Sequence, residues 1–162
     1  MLDFTHDDWK ARAATLTFRN QAFIGGRFVD AADCDSFDCV NPATGAVLTR
    51  VASCKAADVD AAVAAARKAF EAGHWSRAAP GERKAVLLRL ADLIRENLAE
   101  LALLDSLDMG KLVTDAATID APGSAYFFQW YAEAIDKIYD EVAPTGPGDL
   151  ALVRRVPLGV VG

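Results

Sequence analysis

The sequence predicts an α/β fold, and three observations carry that expectation. A Gly25-Gly26 pair sits between two apolar triplets, two long segments repeat apolar residues at three- and four-residue intervals, and Leu158-Gly159-Val160-Val161-Gly162 begins a continuous apolar run. Such a run suits a parallel strand covered on both faces. With 162 residues and 52% apolar content, the chain has the material for a packed domain.

The first element expected is a short surface helix over Asp7 to Phe18, with Trp9, Ala13, Leu16 and Thr17 at helical spacing and acids ahead of Lys10 and Arg12. Ala22-Phe23-Ile24 and Arg27-Phe28-Val29 then form a hairpin, because glycines 25 and 26 admit positive φ at both turn positions. Phe37 to Val40 and Val47 to Ser53 are two more strands, reversed by Asn41-Pro42-Ala43-Thr44-Gly45. Val59, Val63, Ala66 and Phe70 mark a helix from Ala56 to Ala72, with acids in its first turn and Gly73 past its end.

A long helix is expected from Pro80 to Met109, stopped by Gly110, on one stripe that includes Val86, Leu90, Ile94, Leu98 and Leu101. A third main helix starts near Pro122, carries Ala125, Phe128, Tyr131, Ala132, Ile135 and Ile138 on one side, and ends before Pro144. Leu150 to Val156 reads as a strand leading into the final apolar run. Native termini are usually polar, so an apolar end of this kind suggests truncation.

A net charge of -6 and a pI near 4.8 leave no basic footprint for a phosphate backbone or an anionic lipid surface, so neither nucleic acid nor membrane is an expected partner. The acidic start lacks the character of a leader, and a cytoplasmic location is expected. Cys34, Cys39 and Cys54 have neither disulfide-framework nor zinc spacing, and read as ordinary buried or half-buried thiols.

A phosphate loop is rejected because Asp105 stands where glycine must precede Gly110-Lys111. His6 and His74 have no ligand cluster, and no cysteine sits beside an evident base. From the residues alone, the result is an acidic α and β domain without a complete active site.

Six collinear motifs go further. Phe23-Ile24-Gly25-Gly26-Arg27-Phe28, Asn41-Pro42-Ala43-Thr44-Gly45, Ala57-Asp58-Val59-Asp60-Ala61-Ala62-Val63, Trp75-Ser76, Leu107-Asp108-Met109-Gly110-Lys111 and Pro157-Leu158-Gly159-Val160-Val161-Gly162 resemble successive landmarks of the aldehyde dehydrogenase superfamily. Residues 130–139 and the helix around Trp9 are similar to the branch acting on ω-amino aldehydes, such as γ-glutamyl-γ-aminobutyraldehyde and guanidinobutyraldehyde.

The resemblance implies the amino-terminal part of that fold: β-hairpins and three helices leading into an oligomerisation-arm strand and a first Rossmann-like strand. Residues 1–140 would open the NAD(P)-binding domain, 141–157 belong to the oligomerisation arm, and 158–162 begin the Rossmann-like sheet. The intact family enzyme would use NAD or NADP, with none expected to bind this chain alone. No catalytic residue carries over, since the family's nucleophilic cysteine and general-base glutamate have no counterpart here.

What the resemblance does transfer is a substrate entrance bordered by Asp120 and Gly123, with Phe127 as a wall, and a monovalent-cation site at the Val40 backbone and Asp108. Each has a plainer alternative. Asp120 would cap the helix at Pro122, Phe127 with Phe128, Trp130 and Tyr131 would be core, and Asp108 would be an acid held near a helix end. Partners implied are further copies of the chain or a complementary carboxy-terminal chain, with the aldehyde as substrate. A catalytically silent association module is the rival reading.

Overall fold

The structure is a computed structural model describing residues 3–162. Three antiparallel hairpins and a helical layer make up the described chain. Helix α1 (His6–Thr15) is followed by β1 (Ala22–Ile24) and β2 (Arg27–Val29), whose turn holds glycines 25 and 26 at φ of 59° and 81°. Strands β3 (Ser36–Val40) and β4 (Val47–Ala52) pair with a register shift between Cys39 and Val40.

Helix α2 (Ala56–Ala72) starts on an interaction its sequence half disclosed. The buried Asp58 carboxylate accepts the Lys55 backbone N–H at 2.8 Å and the Ala32 backbone N–H at 2.8 Å. One side chain thereby satisfies a helix-start donor and ties the loop after β2 to α2. These two donors, Lys55 first, hold the carboxyl below its ordinary value. At the other end Gly73 takes a φ of 77°, and the Arg77 guanidinium donates to the last carbonyls, Glu71 at 2.9 Å and Ala72 at 2.8 Å.

The single helix expected over Pro80 to Met109 is two, α3 (Pro80–Glu96) and α4 (Leu98–Met109). Asn97 separates them at φ -108° and ψ 20°, its side-chain amide donating to the Leu93 carbonyl at 2.8 Å. Asparagine competes in this way with the backbone ladder. Gly110 then ends α4 at φ 78°.

The third main helix also differs from expectation, starting earlier than Pro122 and ending at Ala134 rather than Ile138. Short α5 (Val113–Asp115), a π-helical turn (Ala116–Asp120) and α6 (Ala121–Ala134) run on without leaving helical φ and ψ, and the Ala121 N–H reaches back five residues to the Ala116 carbonyl. Proline at 122 has no N–H to give the Thr118 carbonyl, and its ring crowds that carbonyl, so a widened turn just before it relieves both problems.

Helices α3 and α6 pack along their length, antiparallel, joined by Arg95 to Gln129 at 2.5 Å near one end and Lys84 to Asp136 at 2.9 Å near the other. The buried residues of this helix pair are small: Ala91 on α3 and Ala121, Ala125 and Ala132 on α6. Ala102, Ala116 and Ala117 form a second buried cluster beneath the π turn, and Leu103 is the large side chain buried beside it in α4.

The last hairpin pairs β5 (Glu141–Ala143) with β6 (Ala151–Val153) only. The strand expected over Leu150 to Val156 is cut short where the Arg155 backbone N–H donates to Asp140 and its guanidinium to Glu141, turning the chain out of the ladder. Residues 158–162 form no strand, because no described strand lies alongside them to supply a ladder; Gly159 instead lies against Arg67 and Phe70 of α2. Cys34 and Cys54 are exposed and Cys39 half-buried, so two of the three thiols are more open than expected. Among the described residues no helix is long and apolar enough to cross a membrane.

Candidate functional site

Two places gather the residues that the sequence singled out. The first is the flank of the continuous helix formed by the π turn and α6. Asp120, Gly123 and Phe127 follow at spacings of three and four, which puts them on one side, with Trp130 and Tyr131 continuing the stripe. From Gly123 onward this side lies opposite the buried Ala125 and Ala132, and Phe127 is 60% exposed and Trp130 51%. The core alternative for these aromatics is therefore not what the described chain adopts. A side chain added at Gly123 would meet nothing within 4 Å.

Asp120 does not cap α6. Its backbone is helical at φ -74° and ψ -55°, it makes no capping hydrogen bond, and its Oδ2 is buried against the Lys111 ammonium. Contact between these atoms is an ion pair without the orientation of a good hydrogen bond. The Asp120 carboxylate, ahead of smaller contributions from Asp105 and Asp115, raises the Lys111 ammonium above its usual range. Lys111 arrives here because Gly110 reverses the chain after α4 and Ser106 Oγ donates to the Lys111 carbonyl at 2.7 Å.

Asp120 also lines a pocket of about 340 Å³ between α3, α4 and the π turn, with Ile94, Leu101, Ala102, Asp105 and Ser124 among its walls. Two carboxylates thus share one mostly apolar cavity, with a single lysine beside them. Pairing Oδ2 with Lys111 leaves the other Asp120 oxygen as an acceptor. Asp105 and Lys111 were not singled out from the sequence; the four-residue step from Leu101 to Asp105 on an apolar helix stripe was the signal that the acid turns inward.

The second place is the end of β3. Cys39 Sγ donates to Asp108 Oδ1 at 2.9 Å, which brings Asp108 beside the residue preceding Val40. This carboxylate, by hydrogen bonding first and burial second, raises the Cys39 thiol above its ordinary range, so the group is a poor nucleophile. Gly110 lies so close to the Asn41–Gly45 turn that a Cβ there would stand 2.8 Å from Pro42 Cγ. Two motifs almost seventy residues apart are thereby one structural unit. Among the described residues no group of three or more His, Cys, Asp or Glu side chains could hold a metal ion.

The chain is similar to known proteins over most of its length. The chain is 50% identical over 158 residues to an aminoacetaldehyde dehydrogenase of Pseudomonas aeruginosa, covering 98% of this chain and 32% of that protein. It is 46% identical to an NADP/NAD-dependent aldehyde dehydrogenase, PuuC, of Escherichia coli, covering 94% and 31%. In structure it superposes with a TM-score of 0.93 and 49% identity on a P. syringae indole-3-acetaldehyde dehydrogenase in complex with NAD+ and IAA, over 96% of this chain and 32% of the other. The chain therefore spans about a third of the length of the relatives it matches. Residues 28–162 match the sequence model of the aldehyde dehydrogenase family, and on that extent of match the chain belongs to the aldehyde dehydrogenase family.

Proposed function

We propose that this chain supplies the amino-terminal third of an NAD(P)-dependent aldehyde dehydrogenase that oxidises an ω-amino or guanidino aldehyde to the carboxylic acid. Within it, residues 1–140 open the cofactor-binding domain, 141–157 contribute to the oligomerisation arm and 158–162 lead into the Rossmann-like sheet. The observation that carries the substrate class is the pocket shared by Asp105 and Asp120. Two carboxylates against the one Lys111 ammonium leave a net negative charge in an apolar surround, which suits a cationic tail. Similarity to an aminoacetaldehyde dehydrogenase supports the same class. Gly123 and Phe127 would then border the entrance, open space at the glycine admitting the substrate past the aromatic ring.

NAD(P) would accept hydride in the intact enzyme. The residues here do not fit its pyrophosphate, which needs a glycine turn feeding a helix amino terminus, whereas Gly159 and Gly162 lie in a segment with neither strand nor helix. At β3, the Val40 carbonyl and Asp108 would give two oxygens to a monovalent cation, and the Cys39 contact supports their proximity; a hard ion would need further oxygens from elsewhere.

The test joins residues 1–162 in frame to the remaining two thirds of the Pseudomonas aeruginosa relative. In that hybrid, Asp120→Asn raises KM for aminoacetaldehyde roughly tenfold or more, the usual cost of losing a charged hydrogen bond, and leaves a neutral aldehyde nearly unchanged. Equal losses on both refute the assignment. Indole-3-acetaldehyde is the informative neutral substrate, since the exposed stripe of Phe127, Trp130 and Tyr131 favours an aromatic tail as a second reading.

A further inference from the structure

None of the ten residues of α1 is buried, and a helix of that length does not persist in water unaided. Its Thr5–Asp8 capping box is local, with Asp8 held below its ordinary range chiefly by the Thr5 hydroxyl. Arg12 and Thr15, with the following Leu16, border a cleft beside Ala99, Glu100 and Leu103 of α4, and Trp9 is the α1 side chain that reaches a buried cluster. The indole packs, with Leu98, on the buried cluster of Ala102, Ala116 and Ala117. Phe4 meets it edge-on at 5.1 Å, and the Arg12 guanidinium covers Phe4 at 4.2 Å.

Ala116 and Ala117 are the first two residues of the π turn that ends at Asp120. A π turn is less favourable than an α turn and persists where its surroundings hold it. Alanines supply little volume of their own, so the larger side chains packed against them are Leu98 of α4 and, from α1, the Trp9 indole. The family match begins at residue 28, beyond α1, whereas the 98% match to the Pseudomonas aeruginosa relative leaves room for only about three residues outside it and so includes α1. Helix α1 thus lies within the match to that relative and outside the region matched by the family model.

We propose that Trp9 is a positioning residue: α1 clamps the π turn through it, setting the Asp120 carboxylate against Lys111 and the pocket, so that the amino-terminal helix tunes selectivity for the aldehyde's tail. The effect on selectivity rests on the entrance role proposed above for Asp120.

Hydrogen–deuterium exchange on the 162-residue chain tests the clamp without reference to catalysis. Trp9→Ala accelerates exchange over residues 113–121 tenfold or more, leaves β3 and β4 at wild-type rates as an internal control of folding, and Trp9→Phe restores most of the protection. Unchanged exchange over 113–121, or equal acceleration everywhere, overturns the clamp. The Lys111 ammonium, followed by NMR, returns toward the ordinary lysine range in Trp9→Ala alone. In the hybrid enzyme Trp9→Ala raises KM for aminoacetaldehyde while kcat for a neutral aldehyde holds. If Asp120→Asn alters this selectivity and Trp9→Ala does not, the inference is wrong and the entrance role stands; if neither does, both fall.

Discussion

Substituting Gly110 by alanine tests whether the Asn41–Gly45 turn and the end of α4 form one packed unit. Two separable costs follow from the structure. Gly110 sits at φ 78°, where a Cβ costs about 1–2 kcal/mol. The new methyl would also stand 2.8 Å from Pro42 Cγ, a contact that a rigid ring can relieve only by moving the turn, and overpacking of this kind costs about 1–3 kcal/mol. Together they amount to about 2–5 kcal/mol. Gly45 supplies the control, because its φ is 72° but nothing lies within 4 Å of its would-be Cβ. Gly45→Ala should therefore show the conformational cost alone. In a Pro42→Ala background the crowding atom is gone, and Gly110→Ala should fall to the Gly45→Ala value. Urea unfolding of the four variants and the wild type reads these differences directly. Equal losses for Gly110→Ala and Gly45→Ala, or no relief in the Pro42→Ala background, would show that the two motifs are not packed as described.

Asp58→Asn should destabilise the chain, since an amide can no longer accept both backbone donors as a charged carboxylate does. Because the folded carboxyl is held below 3.8, its stabilisation is present above the unfolded value and lost as pH falls through the lowered one; thermal melts should show the gap to wild type closing in that acidic window. Asp136, held down to about 2 by Lys137 and then Lys84, should behave likewise to still lower pH, and Asp136→Asn should lose its effect in high salt because the pair is half exposed. Leu103→Ala removes the one large side chain that is buried among the described residues, and a loss of about 2–4 kcal/mol in urea unfolding is expected. The chain alone should produce no NADH from aminoacetaldehyde, because none of its described cysteines has the setting of a nucleophile; turnover above a blank would overturn that. Sedimentation at micromolar concentration should show association through β6 and the exposed Leu158 and Val161, and a monomer unchanged by removing residues after Asp149 would exclude it.

Local chemistry made much of this protein legible without coordinates. Glycines 25 and 26 could do little other than close a hairpin, Gly73 and Gly110 could be read as helix stops, and the six ordered motifs pointed to the family, because each depends on neighbours within a few residues. Three features needed tertiary structure. Asn97 breaks a stripe that stays apolar across it, since the break comes from a side-chain hydrogen bond to Leu93 rather than from any change of pattern. Pro122 looked like a helix start, yet the helix runs through it on a π turn held by alanines packed against Trp9, a residue more than a hundred positions away. Asp120 had the composition of a cap, but what it faces is Lys111, delivered by a glycine turn after another helix. In each case sequence spacing specified the element, while the partner that decided its end or its charge came from a distant part of the chain, where no periodicity reaches.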